Sequence, residues 1–258
     1  MERELNRTGR AIVYSCSWPA YLIDKPDQVD YNVIAKSCNL WRNFDDINSS
    51  WKSILSIIDY YDHHQDKHIP THGPGHWHDP DMLVIGNSGI TLNMAIAQMT
   101  IWSIWSAPLI MSNDLRKIAP EFQKILLNRD VIAIDQDPMG KMGRLAANVS
   151  GISAYVKPIT PLYGSESSFA LGFLNRNNRT IDVKFKLKNL GLTSRSGYLV
   201  KDLWNPIPPI RLHQNDSLEI MVPATGAAMF RAVLVGPNRM LKENRVIGKL
   251  INRIPLDF

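Results

Sequence analysis

The sequence predicts an α/β region built from βα units, followed by an antiparallel β-domain, most simply a sandwich. Two observations carry this. Short apolar runs starting near residues 11, 40, 82 and 108 alternate with helical patterns at the spacing of βα units. Repeated βα units make a parallel sheet, either doubly wound or closed into a barrel. From about Met142 the period shortens to partly alternating runs separated by turn residues, the pattern of antiparallel strands. The boundary is expected near Gly140, giving parts 1–139 and 140–258. A (β/α)8 barrel has eight units in about 250 residues, so the four units found here make half of one.

The elements follow in order. Ala11–Ser15 is an apolar run that ends in the polar, turn-prone Cys16-Ser17-Trp18-Pro19. Asp30 is placed to cap a helix running to Cys38. Leu40–Phe44 reads as a second strand. From about Ser50 an amphipathic helix shows Trp51, Ile54, Leu55, Ile58 and Tyr61 on one stripe. Met82–Ile85 is a third run, and Thr91 opens a long apolar helix to about Ser106. Pro108–Met111 is a fourth run, Pro120–Leu127 a last helix, and Val131–Ile134 closes the region. In the second part, strands are expected at Ile152–Val156, Phe169–Phe173, Ile181–Phe185, Tyr198–Val200 and Ala227–Val235. The tail after Pro237 is expected to be a frayed helix or unstructured.

Composition narrows the function classes. Apolar residues make up 45% and charged residues 21%, which excludes a disordered, collagen-like or coiled-coil chain. The most apolar stretch, Met94–Met111, is interrupted by Gln98, Thr100 and two serines, so no membrane span is expected. The net charge of +5 is scattered, without the dense basic stripe of a nucleic-acid partner. The opening MERELNRTGR has no apolar signal-peptide core, which implies either a cytosolic protein or a true start upstream. Cys16 and Cys38 are two buried thiols in a cytosolic protein, or one disulfide in a secreted one. Sequons at Asn6, Asn48, Asn148, Asn178 and Asn215 lean towards the secretory pathway.

Three polar and aromatic clusters adjoin the apolar runs: Ser15–Tyr21, Trp41–Asp46 and Gly73–Met82. Active sites of βα folds gather at the C-terminal ends of strands. Arg42 and Asp46 can pair in a cleft, with Asp46 as a general acid. Alternatively, Asp45 and Asp46 start a turn or cap the next helix. Six of the seven histidines lie between His63 and His78. His76 and His78 on a strand, near Asp79 and Asp81, suggest a divalent-metal hydrolase. The plainer reading of His63, His64 and His68 is an exposed helix end. Trp18, Tyr21, Trp41 and Trp77 suit either sugar stacking or core packing.

Five ordered motifs then resemble family-27 glycoside hydrolases, which include α-galactosidases and α-N-acetylgalactosaminidases. They are SCSWPAY (Ser15–Tyr21), NLWRNFDDI (Asn39–Ile47), GPGHWHDPDMLVIGN (Gly73–Asn87), APLIMSNDL (Ala107–Leu115) and IDQDP (Ile134–Pro138). The resemblance implies strands five to eight of a (β/α)8 barrel followed by a C-terminal antiparallel β-sandwich. It implies a retaining mechanism with Asp46 as general acid/base and needs no cofactor or metal. It places Ser17, Ala20, Tyr21, Arg42, Asp81 and Met82 on the sugar, and pairs Cys16 with Cys38. Small Ser17 and Ala20 leave room for an N-acetyl group, pointing to N-acetylgalactosamine. The implied partners are terminal α-N-acetylgalactosaminyl or α-galactosyl glycoconjugates; the implied setting is a lysosomal homodimer.

Two departures stand beside it. His78 replaces the asparagine usual in W-N-D-P-D. The K-x-D-x-C context of the family nucleophile does not occur. A retaining glycosidase needs two carboxyls about 5 to 5.5 Å apart, so the chain is expected to be truncated at its N-terminus, inactive alone and prone to aggregate. The alternatives are a sugar-binding or partner-binding product without catalysis, and the histidine-based metal hydrolase.

Overall fold

The computed structural model describes residues 1–236; the tail after Pro237 lies outside them. Helix α1 (Glu2–Arg7) precedes three parallel strands, β1 (Ser15–Cys16), β2 (Leu40–Arg42) and β3 (Trp77–Asp79), bonded in that order. Helix α2 (Tyr31–Ser37) joins β1 to β2, and α3 (Trp51–His68) joins β2 to β3. These are the expected βα units. The Asp30 carboxylate accepts the N–H groups of Asn32 and Val33, and Ser50 Oγ accepts that of Ser53. The α3 stripe buries Ile54, Ile58 and Tyr61, with Ile57 beside them.

The strand bounds differ from expectation. The run Ala11–Ser15 becomes a strand only at Ser15–Cys16, because Ile12 and Val13 lie exposed with no covering layer. Met82–Ile85 and Pro108–Met111 are not strands; they meet in a single parallel bridge, Leu83 to Met111. The third strand is instead the polar Trp77–Asp79. Pro80, which has no N–H, and Asp81, with φ of +81°, interrupt a ladder that the apolar run alone would have suggested.

Helix α4 (Leu92–Ile104) is capped by Thr91 and buried almost all round. It lies between the barrel part and the β-domain, so it has no solvent face to keep polar. Helices α5 (Pro120–Leu126) and α6 (Arg129–Asp135) complete the first part; the run Val131–Ile134 is helical.

The β-domain holds a six-stranded sheet and a two-stranded one. In chain order the strands are β4 (Arg144–Val149), β5 (Ile152–Tyr163), β6 (Glu166–Asn175), β7 (Ile181–Lys186), β8 (Tyr198–Asp202), β9 (Ile210–Leu212), β10 (Ser217–Val222) and β11 (Ala227–Leu234). The larger sheet runs β4-β5-β6-β11-β8-β9, the smaller β10-β7, and every pair is antiparallel. Strand parity assigns the two faces of the larger sheet. Ala154 and Val156 pack with Phe185 and Ile220 between the sheets, whereas Tyr155 joins the core around α4. Covered on both faces, β5 and β6 carry continuous buried runs rather than alternation. Gly143 passes so close to α4 that a Cβ there would meet the Ile104 side chain at 2.5 Å.

Cys16 and Cys38 are joined in a disulfide spanning 22 positions, tying β1 to the end of α2. In the chain-entropy view a loop of this size is worth about 3 kcal/mol. The double substitution to serine is expected to lower the urea-unfolding free energy by that amount. A loss below about 1 kcal/mol would mean that packing alone holds the β1 edge.

Candidate active site

The three strands are parallel and in register, Cys16 beside Trp41 beside His78, so their C-terminal ends open on one side. Ser17, Ala20 and Tyr21 follow β1, the last two in a 3₁₀ segment (Trp18–Leu22) that packs against β2. Asn43–Asp46 follow β2, and Asp81–Met82 follow β3.

Arg42 is the hub. Its Nη2 lies 2.7 Å from Asp81 Oδ2 and 3.1 Å from Asp46 Oδ1. It also donates to the Asp45 carbonyl at 3.2 Å. One guanidinium nitrogen therefore holds two carboxylates from adjacent strand ends. Asp46 is 95% exposed at its side chain, whereas Asp81 is 10% exposed. The cap of α3 is Ser50, so the alternative reading of Asp45 and Asp46 as caps is set aside.

Asp81 adopts a left-handed backbone uncommon for a side chain of its size, and its surroundings enforce it. Its N–H donates to Asp79 Oδ1 at 2.9 Å, and its carbonyl accepts from Trp102 Nε1 at 2.8 Å. Its Oδ1 accepts the Met82 N–H at 2.8 Å, and its Oδ2 the Ile47 N–H at 2.7 Å. Gln98 clamps the next residues, donating to the Met82 carbonyl and accepting the Val84 N–H. From sequence, Asp79 was named only beside a candidate metal site and Gln98 only as an interruption of an apolar stretch, and Trp102 was not singled out. For Gln98 the signal was present, a polar side chain amid the most apolar helix.

The structure brings Arg42, Asp46, Asp81 and Met82 together. Ser17, Ala20 and Tyr21 stand on the neighbouring strand end, with Ser17 and Tyr21 exposed. Trp41 is fully buried, so it packs the core and does not stack on a ligand; Trp18 is 40% exposed. A cavity of about 470 Å³ opens under α1 against Tyr14, Cys16 and Trp18, away from the Arg42 cluster.

The histidines are structural in geometry. His68, expected at an exposed helix end, is fully buried, with Tyr31 Oη 3.2 Å from its Nε2. Burial pushes the His68 and His72 rings down to about 3 and His78 well below its ordinary value. His78 has both ring nitrogens engaged by Trp41, Asn43 and Thr71, and His76 Nδ1 bonds the Thr71 carbonyl. The two rings do not converge on a shared open position, so their geometry gives the metal-hydrolase reading no support.

Asp79 offers a pH test. Burial pushes its carboxyl up to about 6, against the pull of the Asp81 N–H and Arg42. A carboxyl raised in the folded state favours folding most below its unfolded value near 4 and loses that benefit as pH rises through about 6. Asp79→Asn keeps an oxygen for the Asp81 N–H without the charge. The variant is expected to exceed the wild type by up to about 3 kcal/mol at pH 7.5 and to match it near pH 4. Urea unfolding across that range reads the difference; an equal gap at both ends would contradict it.

Residues 1–137 match the family model described as alpha galactosidase A, and residues 155–232 match the alpha galactosidase C-terminal beta sandwich domain. The chain is 41% identical over 255 residues to the alpha-N-acetylgalactosaminidase of Gallus gallus, covering 93% of this chain and 61% of that protein. It is 47% identical over 178 residues to alpha-galactosidase A of Homo sapiens, covering 68% of this chain and 40% of that protein. The solved alpha-galactosidase of Saccharomyces cerevisiae shares the fold, with a TM-score of 0.78 at 19% identity, covering 91% of this chain and 67% of that one. The chain thus spans less than two thirds of the length of each of these two relatives. It belongs to the alpha-galactosidase A family, the family-27 glycoside hydrolases, and carries part of that family's (β/α)8 barrel followed by its antiparallel β-sandwich.

Proposed function

We propose that the chain supplies the acid/base and sugar-binding side of a retaining exo-glycosidase that removes terminal α-linked N-acetylgalactosamine, or galactose, from glycoconjugates. The observation that carries this is Arg42 holding Asp46 and Asp81 together at adjacent strand ends. Asp46 is the general acid/base. Among the described residues its exposed carboxyl has one partner, Arg42, leaving an oxygen for the glycosidic bond. It donates a proton to the leaving oxygen as the bond to the anomeric carbon breaks, then takes a proton from the water that releases the sugar. Asp81, rigid and anionic beside Arg42, accepts from sugar hydroxyls, with Met82 against the ring. Ser17 and Ala20 leave space for the N-acetyl group, and Tyr21 borders it. The disulfide and the five exposed sequon asparagines suit the secretory pathway, with the lysosome as destination.

The nucleophile is a separate carboxylate. Asp81 is held at Oδ1 by one N–H and at Oδ2 by a second N–H and Arg42, which leaves a lone pair to accept a hydroxyl hydrogen but blunts it as a nucleophile, and Asp79 is buried behind it. Neither is free to attack. A second reading follows, in which the chain alone binds sugar without cleaving it.

The test is a chimera in which the part of the Gallus gallus relative that this chain does not match precedes it. The chimera is expected to hydrolyse an aryl α-N-acetylgalactosaminide with retained anomeric configuration, while the chain alone releases no more aryl alcohol than buffer. Inversion by the chimera, or equal turnover by the chain alone, would sink the assignment.

A further inference from the structure

We propose that His78 is a positioning residue for this site: its ring, fixed as the Nε2–H tautomer, grips the two residues flanking Arg42 and so aims the guanidinium. The proposal rests on the reading of Arg42, Asp46 and Asp81 as the sugar machinery. Trp41 and Asn43 lie on either side of Arg42 at the end of β2, and alternation sends their side chains to the face opposite it. Trp41 Nε1 can only donate, and it lies 3.1 Å from His78 Nδ1, so Nδ1 is an acceptor. Asn43 Nδ2 is 3.0 Å from the same Nδ1 and donates to Tyr61 Oη at 2.8 Å.

The ring proton therefore sits on Nε2, 3.0 Å from Thr71 Oγ1. The Thr71 hydroxyl spends its own hydrogen on the His68 carbonyl at 3.1 Å, which leaves it free to accept. One imidazole thus joins β2, β3 and the turn that ends α3. Trp41 and Asn43 are 0% exposed and His78 is 1% exposed, so solvent cannot replace these bonds. The residue after His78 is Asp79, which holds the Asp81 N–H. Both arms of the site, Arg42 and Asp81, are therefore braced from this ring.

The substitutions separate acceptor from bulk. Asparagine at position 78 places an amide oxygen near the Nδ1 position, whereas phenylalanine fills the ring volume and accepts nothing. The experiment uses the full chain and methyl α-N-acetylgalactosaminide as the probe. Imidazole ¹⁵N correlation spectra are expected to show His78 protonated at Nε2. H78N is expected to bind the probe within about threefold of wild type, and H78F about tenfold or more weaker, as for a lost buried hydrogen bond. N43L removes one donor to the same nitrogen and is expected to weaken binding similarly, which covers the case of an unfolded H78F. An Nδ1–H tautomer, or folded H78F and N43L binding like wild type, would overturn this inference alone. Failure of the wild type to bind the probe would overturn the sugar-site reading, and this inference with it.

Discussion

Asp46→Asn in the chimera is expected to lower kcat on a poor aryl leaving group by about 10²- to 10⁴-fold, the usual worth of a positioned acid/base. The fold should be unaffected, because the Asp46 side chain is 95% exposed and, among the described residues, bonded only to Arg42. The loss should depend on the leaving group. A dinitrophenyl leaving group departs without protonation, so the first step survives and the glycosyl-enzyme accumulates. Azide, which needs no general base, should then restore turnover and give a glycosyl azide of retained configuration. Steady-state rates and product analysis read all three. A uniform loss on every leaving group, with no azide rescue, would assign Asp46 to binding instead.

Lys157→Met is expected to cost about 3 to 5 kcal/mol of folding free energy. Lys157 lies on β5, is 0% exposed, and reaches into the helical part. Its Nζ donates to the carbonyl of Ser103 at 3.0 Å, to Ser106 Oγ at 2.6 Å and to the carbonyl of Ile134 at 2.5 Å. Ser103 and Ile134 sit in the last turns of α4 and α6, where helix dipoles favour a cation. Burial pulls the ammonium below its ordinary range, while Asp135 and Asp137 hold it up. Methionine matches the length but leaves these acceptors bare and removes the cation that favours the Asp135 carboxylate, which burial already pushes up to about 7. Urea unfolding followed by tryptophan fluorescence and by β-sheet circular dichroism should show the loss, with the two probes moving apart as the domains uncouple. A change below 1 kcal/mol would show that the bonds of Tyr155 and Arg176 to Asp59 and Asp62 of α3, and of Trp204 to Thr100 of α4, carry the interface without the lysine.

Legibility in the sequence followed the range of the interactions. Local signals were readable: Asp30, Ser50 and Thr91 cap their helices, and the α3 stripe faces inward. Strand β10 carries a clear alternation at Leu218, Ile220 and Val222, yet it was not among the expected strands; β9 is three residues long, and β4 shifts register between Leu145 and Ala147. Long-range bonds were not readable. In the sequence, Gln98 and Thr100 argued only against a membrane span, but they and Asn93, all polar residues of α4, each reach a distant partner. Asn93 donates to the Ala224 carbonyl, Gln98 clamps Met82 and Val84, and Thr100 accepts from Trp204 Nε1. The pairing of Arg42 with Asp46 was visible as a spacing, and the sugar-binding role expected of Asp81 came from the family resemblance. The left-handed turn that aims Asp81, and the bonds from Asp79 and Trp102 that hold it, have no local signature.

The central claim is that these strand ends form a galactose-type sugar site, and binding by the chain itself tests it most directly. Saturation-transfer NMR with methyl α-N-acetylgalactosaminide should show transfer from the wild-type chain and competition by free N-acetylgalactosamine and galactose. Asp81→Asn should abolish the transfer, and methyl α-glucoside should show none. Equal transfer to the glucoside, or transfer unchanged in the Asp81 variant, would place any sugar contact elsewhere and contradict the account.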